Sequence, residues 1–223
     1  MRELSGIWKY NKNIIKNNDL YLFNQNRVDR CIEKLSLNSN DTFVQLGIVD
    51  GEIIYSASQK VKKAYSYEND SDAISWAKIK IAGLNNAEII NENPLECNLR
   101  KLTVNKAYSY ATISRLDKAG KVEFFKKIAK HFSQYALLLI EDFILNDETS
   151  DTFTYNKSTI CAQASEYYGA FWEYIKEDFL SKLETGHPAS LSDWKAALSE
   201  GGFWVTNHWQ MSSFFGGIVA MKA

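Results

Sequence analysis

The stretch from Thr42 to Ile90 constrains this chain more than any other. Thr42 to Leu46 reads as a buried strand that runs through Gly47-Ile48-Val49-Asp50 into Gly51, a glycine turn. Glu52 to Lys63 follows as a helical or mixed connection, and Ala64 to Tyr67 as a second short strand ending at Glu68. Asp70 or Ser71 then caps a helix whose Ile74, Ala77 and Ile81 recur at one-face spacing until Gly83 stops it. A third apolar run, Ala87 to Ile90, completes strand, helix, strand, helix, strand. That alternation predicts a mononucleotide-binding half of a doubly wound sheet.

Glycines in such a turn let the backbone approach a ligand, and an acid at the tip of the next strand can accept hydrogen bonds from ribose hydroxyls. Gly47, Gly51 and Glu68 stand where that scheme needs them, with Glu68 about 20 residues beyond the turn. Here the sequence resembles the class I S-adenosylmethionine-dependent methyltransferases, whose first strand leads into roughly D-x-G-x-G-x-G. This chain offers Gln45-Leu46-Gly47-Ile48-Val49-Asp50-Gly51, keeping the first and last glycines, with Gln45 in place of the acid and Val49 in place of the middle glycine. The resemblance implies an S-adenosylmethionine site formed by Gln45, Gly47, Val49, Gly51, Glu68, Asn93 near adenine, and Ser114. It also implies a Rossmann-like α/β fold: a doubly wound, seven-stranded, mostly parallel sheet with an antiparallel last strand and a helical lid insertion.

The rest of the chain fits that plan in order. Val28, Ile32 and Leu35 share a helical face in the N-terminal region. Pro94 suits the start of a short helix through Leu102, and Lys106 to Ile113 reads as a fourth strand leading to Ser114-Arg115. In the resembling family this strand end faces the reacting group, which makes Arg115 a candidate for an anionic substrate; a surface cap on the sheet is the other reading. Gly120 to Phe132 is an amphipathic helix, with its lysines read as a solvated face. Tyr135 to Ile140 is a strand apolar enough to be covered on both sides, with Glu141 and Asp142 at its carboxyl end. Lys157 to Leu183 reads as one or two helices whose aromatic residues, among them Tyr168, Phe171 and Trp172, are candidates to line an acceptor pocket. The same stripe at helical spacing also fits plain core. Leu191, Trp194 and Leu198 mark a last helix, and Phe203 to His208 with Phe214 to Met221 a closing hairpin.

A chain of 223 residues suits one domain: a cap segment (1–36), a cofactor-binding half (37–145), the helical lid (146–188) and the closing helix and hairpin (189–223). Net charge of −1 provides no basic field for nucleic acid as a main partner. Cys31, Cys97 and Cys161 are too scattered for a metal set or a disulfide framework and read as reduced thiols of a cytoplasmic protein. No apolar run approaches the about 20 residues that cross a bilayer.

Methyl transfer asks little of a protein beyond alignment and sometimes a base. His187 and His208 are the candidate bases, and each also fits an ordinary hydrogen-bonded histidine. No metal-ligand spacing, serine-nucleophile elbow or phosphate-binding P-loop is present. The expectation is therefore an S-adenosylmethionine-dependent methyltransferase acting on a small-molecule acceptor. The alternative is a silent or repurposed protein of the same fold; a homodimer or a heteromeric partner chain stays open.

Overall fold

Side-chain alternation along the strands decides how the molecule is layered. In β1 (Thr42–Leu46), Val44 and Leu46 enter one apolar cluster while Phe43 enters another, with Gln45 turned to Phe43's side. The structure is a computed structural model and describes residues 18–99, 102–145, 157–169, 172–212 and 214–223. Its chain runs α1 (Asn18–Leu35), β1, α2 (Glu52–Ser58), β2 (Lys63–Glu68), α3 (Ser71–Lys80), β3 (Ala87–Asn91) and β4 (Val104–Tyr110). A 3-10 turn (Ile113–Arg115) then leads to α4 (Lys118–Ala129), β5 (Phe132–Asp142) and β6 (Ile144–Leu145). The remainder is α5 (Lys157–Tyr168), α6 (Trp172–Thr185), β7 (Ala189–Ser190), α7 (Leu191–Glu200), β8 (Phe203–Gln210) and β9 (Gly216–Lys222).

The seven-stranded sheet has the order β3-β2-β1-β4-β5-β9-β8. β1 to β5 are parallel, and β9 runs antiparallel to both β5 and β8. The chain winds outward from β1 to β3, then returns to start β4 on β1's other side, so the crevice between β1 and β4 is the switch point where ligands of open α/β sheets bind. One face is covered by Val28, Cys31 and Leu35 of α1 and Ile53, Ile54 and Ala57 of α2. The other is covered by Val122, Phe125 and Ile128 of α4 and Trp194 and Leu198 of α7. On this second face Phe132 meets Phe203 edge to face at 5.3 Å, and Trp194 lies 6.4 Å from Phe125. Helices α5 and α6 form a further apolar layer with Phe143, Phe214 and Phe215.

Four local expectations change. Pro94 to Leu99 forms turns instead of a helix: Asn93 folds its own loop, and Cys97 and Leu99, two residues apart, are both buried, a spacing no helix face provides. β4 stops at Tyr110 because Ala111 takes a positive φ of 46°. Helix α4 ends at Ala129, leaving Phe132 to open β5, and Lys121 is buried, not solvated. β5 carries a bulge, since Val104 pairs with Phe132 but Lys106 with Leu137; Tyr135, at φ 63°, absorbs the surplus.

Candidate active site

At the tip of β1, Gly47 has φ 88° and Gly51 φ 77°, values that disfavour a side chain. The space beside each is already taken by protein. A Cβ on Gly47 would sit 2.5 Å from Thr112 Oγ1, and one on Gly51 would sit 2.9 Å from Ala77 Cα. The two glycines therefore bring the β4 loop and helix α3 against the turn, where the sequence suggested open ligand space. Val49 is half-buried between them.

Glu68 is the knot of the site. Its Oε2 accepts from Ile48 N–H at 2.8 Å, and its Oε1 accepts from Asn69 N–H and Asp70 N–H at 2.8 and 3.0 Å. An ionised carboxylate offers about four lone-pair positions, so one remains on Oε2 for a hydroxyl. Asp70 fixes the next step by capping α3, its Oδ1 accepting from Asp72 and Ala73 N–H.

Below the turn, Gln45 Nε2 donates to Gly47 O at 3.0 Å, while its Oε1 is buried with no partner among the described residues. Ser66 stands beside Gln45 in register, and its hydroxyl is likewise buried and unpaired; Ser109, next to Leu46, is a third such group. Buried polar atoms are nearly always paired. Gln45 and Ser66 share one face of the sheet beneath the turn, while Ser109, in register with Leu46, lies on the other.

Helix α1 closes the crevice with charge. Arg27 Nη2 meets Asp50 Oδ2 at 2.8 Å, and its guanidinium lies 4.9 Å from the Tyr110 ring centroid. Burial pulls Arg27 toward its neutral form, but Asp50, Tyr108, Tyr110 and Glu141 outweigh it and hold its pKa above the ordinary value. Arg30 Nε and the Tyr108 hydroxyl both donate to Glu141, each at 2.7 Å. Burial, then the nearby Glu141, pushes the Tyr108 phenol well up.

On the β4–β5 side, Asp142 Oδ2 accepts from Ile113 and Ser114 N–H at 2.9 and 3.0 Å, and its Oδ1 from Phe143 N–H at 2.8 Å. Burial raises the Asp142 carboxyl despite these bonds and Lys121. Burial lowers Lys121, whose Nζ donates to Leu116 O and His187 O and lies 5.2 Å from the Trp194 ring centroid. A cleft of about 270 Å³ opens here between Asp117, Lys118, His187, Ser190 and Asp193.

The structure thus brings Gln45, Gly47, Val49, Gly51 and Glu68 together. Asn93 follows β3 by two residues, but its Oδ1 is spent on Leu95 N–H at 3.1 Å. Ser114 holds the turn through Asp142 and is buried, while Arg115 beside it is exposed. The His187 N–H donates to Ser114 O at 2.6 Å, placing an exposed imidazole at this end of the crevice. His208 does not reach the site: it is exposed on the edge strand β8, Nε2 3.3 Å from Lys195 Nζ. Three strand spacings separate β8 from β4, about 14 Å at about 4.8 Å each. Trp172 is 6% exposed and packs on Phe179 at 5.4 Å, as does Tyr168 at 6.0 Å, so both belong to the apolar layer. Phe171 lies outside the described residues. Arg27, Asp50, Tyr108 and Thr112 are site residues that sequence reasoning missed. The readable signal was Arg27, which shares an apolar stripe with Cys31 and Leu35.

This strand order, with a glycine turn and an acid at adjacent strand tips beside the switch point, is the class I S-adenosylmethionine-dependent methyltransferase fold. No family model matches the chain. Over 99 residues, 44% of its length, the chain is 27% identical to ribosomal RNA small subunit methyltransferase A of Clostridium botulinum (strain ATCC 19397 / Type A). Over 82 residues, 37% of its length, it is 26% identical to the protein of that name from Caldanaerobacter subterraneus. The chain spans 35% and 31% of the lengths of these curated relatives. Their name specifies ribosomal RNA, so net charge alone does not dismiss nucleic acid. Among solved structures, geranyl diphosphate C-methyltransferase from Streptomyces coelicolor superposes with a TM-score of 0.68 at 9% identity, covering 96% of this chain and 84% of that one. The cyclopropane synthase MmaA2 from Mycobacterium tuberculosis superposes with 0.66 at 11% identity, covering 88% and 83%. Among the described residues no helix is long and apolar enough to cross a membrane, and no group of His, Cys, Asp and Glu forms a metal set.

Proposed function

We propose that this protein is an S-adenosylmethionine-dependent methyltransferase whose acceptor is a small molecule. The observation that carries the reading is the pair of buried polar atoms beneath the glycine turn, Gln45 Oε1 and Ser66 Oγ, that have no partner among the described residues, together with the remaining lone pair of Glu68. When bound, the cofactor supplies an electrophilic methyl group. Glu68 accepts a ribose hydroxyl and Gln45 Oε1 a donor from the ligand, while His187, exposed near Ser114, is the group placed to take a proton from the acceptor. Asp142 sets that turn by fixing two successive N–H groups.

A small acceptor is supported by how the basic residues of helix α4 are used. Lys118 pairs with Asp193 at 2.9 Å, Lys126 with Glu200 at 3.0 Å, Lys127 donates to Glu96 O, and Lys121 is buried. Helix α4 therefore spends its cations on the protein itself. The relatives named for ribosomal RNA favour the competing acceptor class.

Two measurements decide between these readings. Calorimetry with S-adenosylhomocysteine should show binding that weakens at least tenfold in Glu68→Gln; no binding at millimolar ligand overturns the enzymatic reading and leaves a protein of this fold with another role. Methyl-labelled cofactor mixed with cell extract should then label the small-molecule fraction. Label confined to RNA and removed by ribonuclease moves the acceptor to nucleic acid.

A further inference from the structure

On the face of the sheet that carries α1, one row of cross-strand neighbours runs Phe43, Lys106, Leu137, Met221 and Trp204 through β1, β4, β5, β9 and β8. Its cover thins outward. Phe43 is fully buried with residues of α1 and α2, Leu137 and Met221 are half-buried, and Trp204 on the edge strand is 67% exposed. Tyr135, two residues before Leu137 in the β5 bulge, is 66% exposed. Two large rings therefore stand in solvent beside an aliphatic floor, toward the pole of the sheet away from the glycine turn.

The charge around this row has one sign. Residues 104–110, 130–140 and 201–223 contain no Asp, Glu or Arg. Lys106 lies in the row itself, Lys130 is exposed just before β5, and Lys34 Nζ lies 5.5 Å from the ring centroid of Trp209 farther along β8. None of these three lysines meets a carboxylate among the described residues. The net charge of −1 hides a split, because Asp50, Glu68, Glu141 and Asp142 gather at the crevice pole.

Each feature narrows the partner. A second copy related by a two-fold axis would set these lysines against themselves. Nucleic acid brings phosphates and bases to stack, but leaves Leu137 and Met221 without an apolar counterpart. Protein interfaces favour arginine and are depleted in lysine, the reverse of what stands here. Tryptophan, tyrosine and lysine over aliphatic side chains match the boundary of a bilayer, where the rings sit at headgroup level and lysine meets anionic lipid.

We infer that this face docks on an anionic lipid bilayer, with Trp204 and Tyr135 entering the headgroup layer and Lys34, Lys106 and Lys130 on the lipid phosphates. The contact is peripheral and leaves the crevice, at the other pole, open to solution. It holds whether or not the crevice binds a nucleoside.

Sedimentation of the full chain with vesicles tests the contact. The protein should pellet at low salt with vesicles of equal parts phosphatidylglycerol and phosphatidylcholine, and at least tenfold more weakly with phosphatidylcholine alone. Trp204→Ser should weaken binding at least tenfold, and Lys106→Gln roughly fivefold, the worth of one lysine at an anionic surface. S-adenosylhomocysteine affinity should be unchanged in both. Should Trp204→Ser fail to fold, Lys34→Gln combined with Lys106→Gln replaces it, with the two losses multiplying. No pelleting with the mixed vesicles overturns the inference, as does pelleting that these variants leave unchanged, which puts the contact elsewhere on the chain. Polyuridylate bound through Trp204 in place of vesicles makes the face a nucleic-acid surface. A dimer in analytical ultracentrifugation that Trp204→Ser dissociates, without vesicle binding, makes it a contact between copies. Either result overturns the bilayer assignment.

Discussion

The two ends of the sheet are held by different forces. Around β1 and β2 the contacts are polar and specific: Glu68 on three N–H groups, Arg27 on Asp50, Gln45 on Gly47. Around β5, β9 and β8 they are aromatic, with Phe125, Phe132, Phe203 and Trp194 packed edge to face or tilted, and the Trp194 indole N–H satisfied by Phe143 O at 3.2 Å. Aromatic packing completes itself, each ring filling its neighbour's surroundings. The polar end does not, since Gln45, Ser66, Ser109 and Arg27 each keep an atom with no partner among the described residues.

The comparison breaks most readily at Trp194, which is fully buried. Trp194→Ala should cost about 3 to 5 kcal/mol in urea unfolding while leaving S-adenosylhomocysteine affinity intact in the protein that remains folded. Loss of affinity would mean that the two ends are not separable. Gly47→Ala should cost about 1 to 3 kcal/mol, from the left-handed backbone and the Thr112 clash together. Unlike the change at Trp194, it should weaken nucleoside binding as well, and adding Thr112→Ala should return only the clash portion.

Asp142 sharpens the contrast through pH. Its folded pKa lies above the ordinary 3.8, so the native state holds the proton more tightly than the unfolded chain. The associated stability is full below the ordinary carboxylate value and is lost as pH rises through the raised one. Asp142→Asn should remove that fall, so the stability difference between the parent protein and the variant in urea unfolding should shift against the parent as pH rises through the raised carboxylate value. The smallest effect is expected at Tyr135, 66% exposed at φ 63° in the β5 bulge. Tyr135→Gly should stabilise by at most about 1 kcal/mol, the gain from relieved backbone offset by glycine's entropy, with no change in ligand binding.

What the sequence disclosed follows from how local each feature is. The β1 turn, the Asp70 cap and the strand ending at Glu68 depend on neighbours within a few residues, and they were readable. Thr112 against Gly47, Tyr108 on Glu141 and Arg27 on Asp50 join distant segments, so their meaning waited for the topology. Two of the hidden groups did leave a trace. Arg27 with Cys31 and Leu35, and Lys121 with Phe125 and Ile128, are cations set into apolar helical stripes, and both prove buried. A cation at such a position calls for a buried partner, and treating α4's lysines alike as solvated missed it. His208 failed for another reason: its strand was legible, but period-two alternation carries no information about strand order, and β8 takes the far edge.

Because one carboxylate receives the N–H groups of Ile48, Asn69 and Asp70, these three amides share a single route to deuterium, the departure of Glu68. Their exchange rates should move in concert, and slow in concert when a ligand locks the carboxylate. That gives solution spectroscopy a built-in reporter from two loops that lie 20 residues apart along the chain.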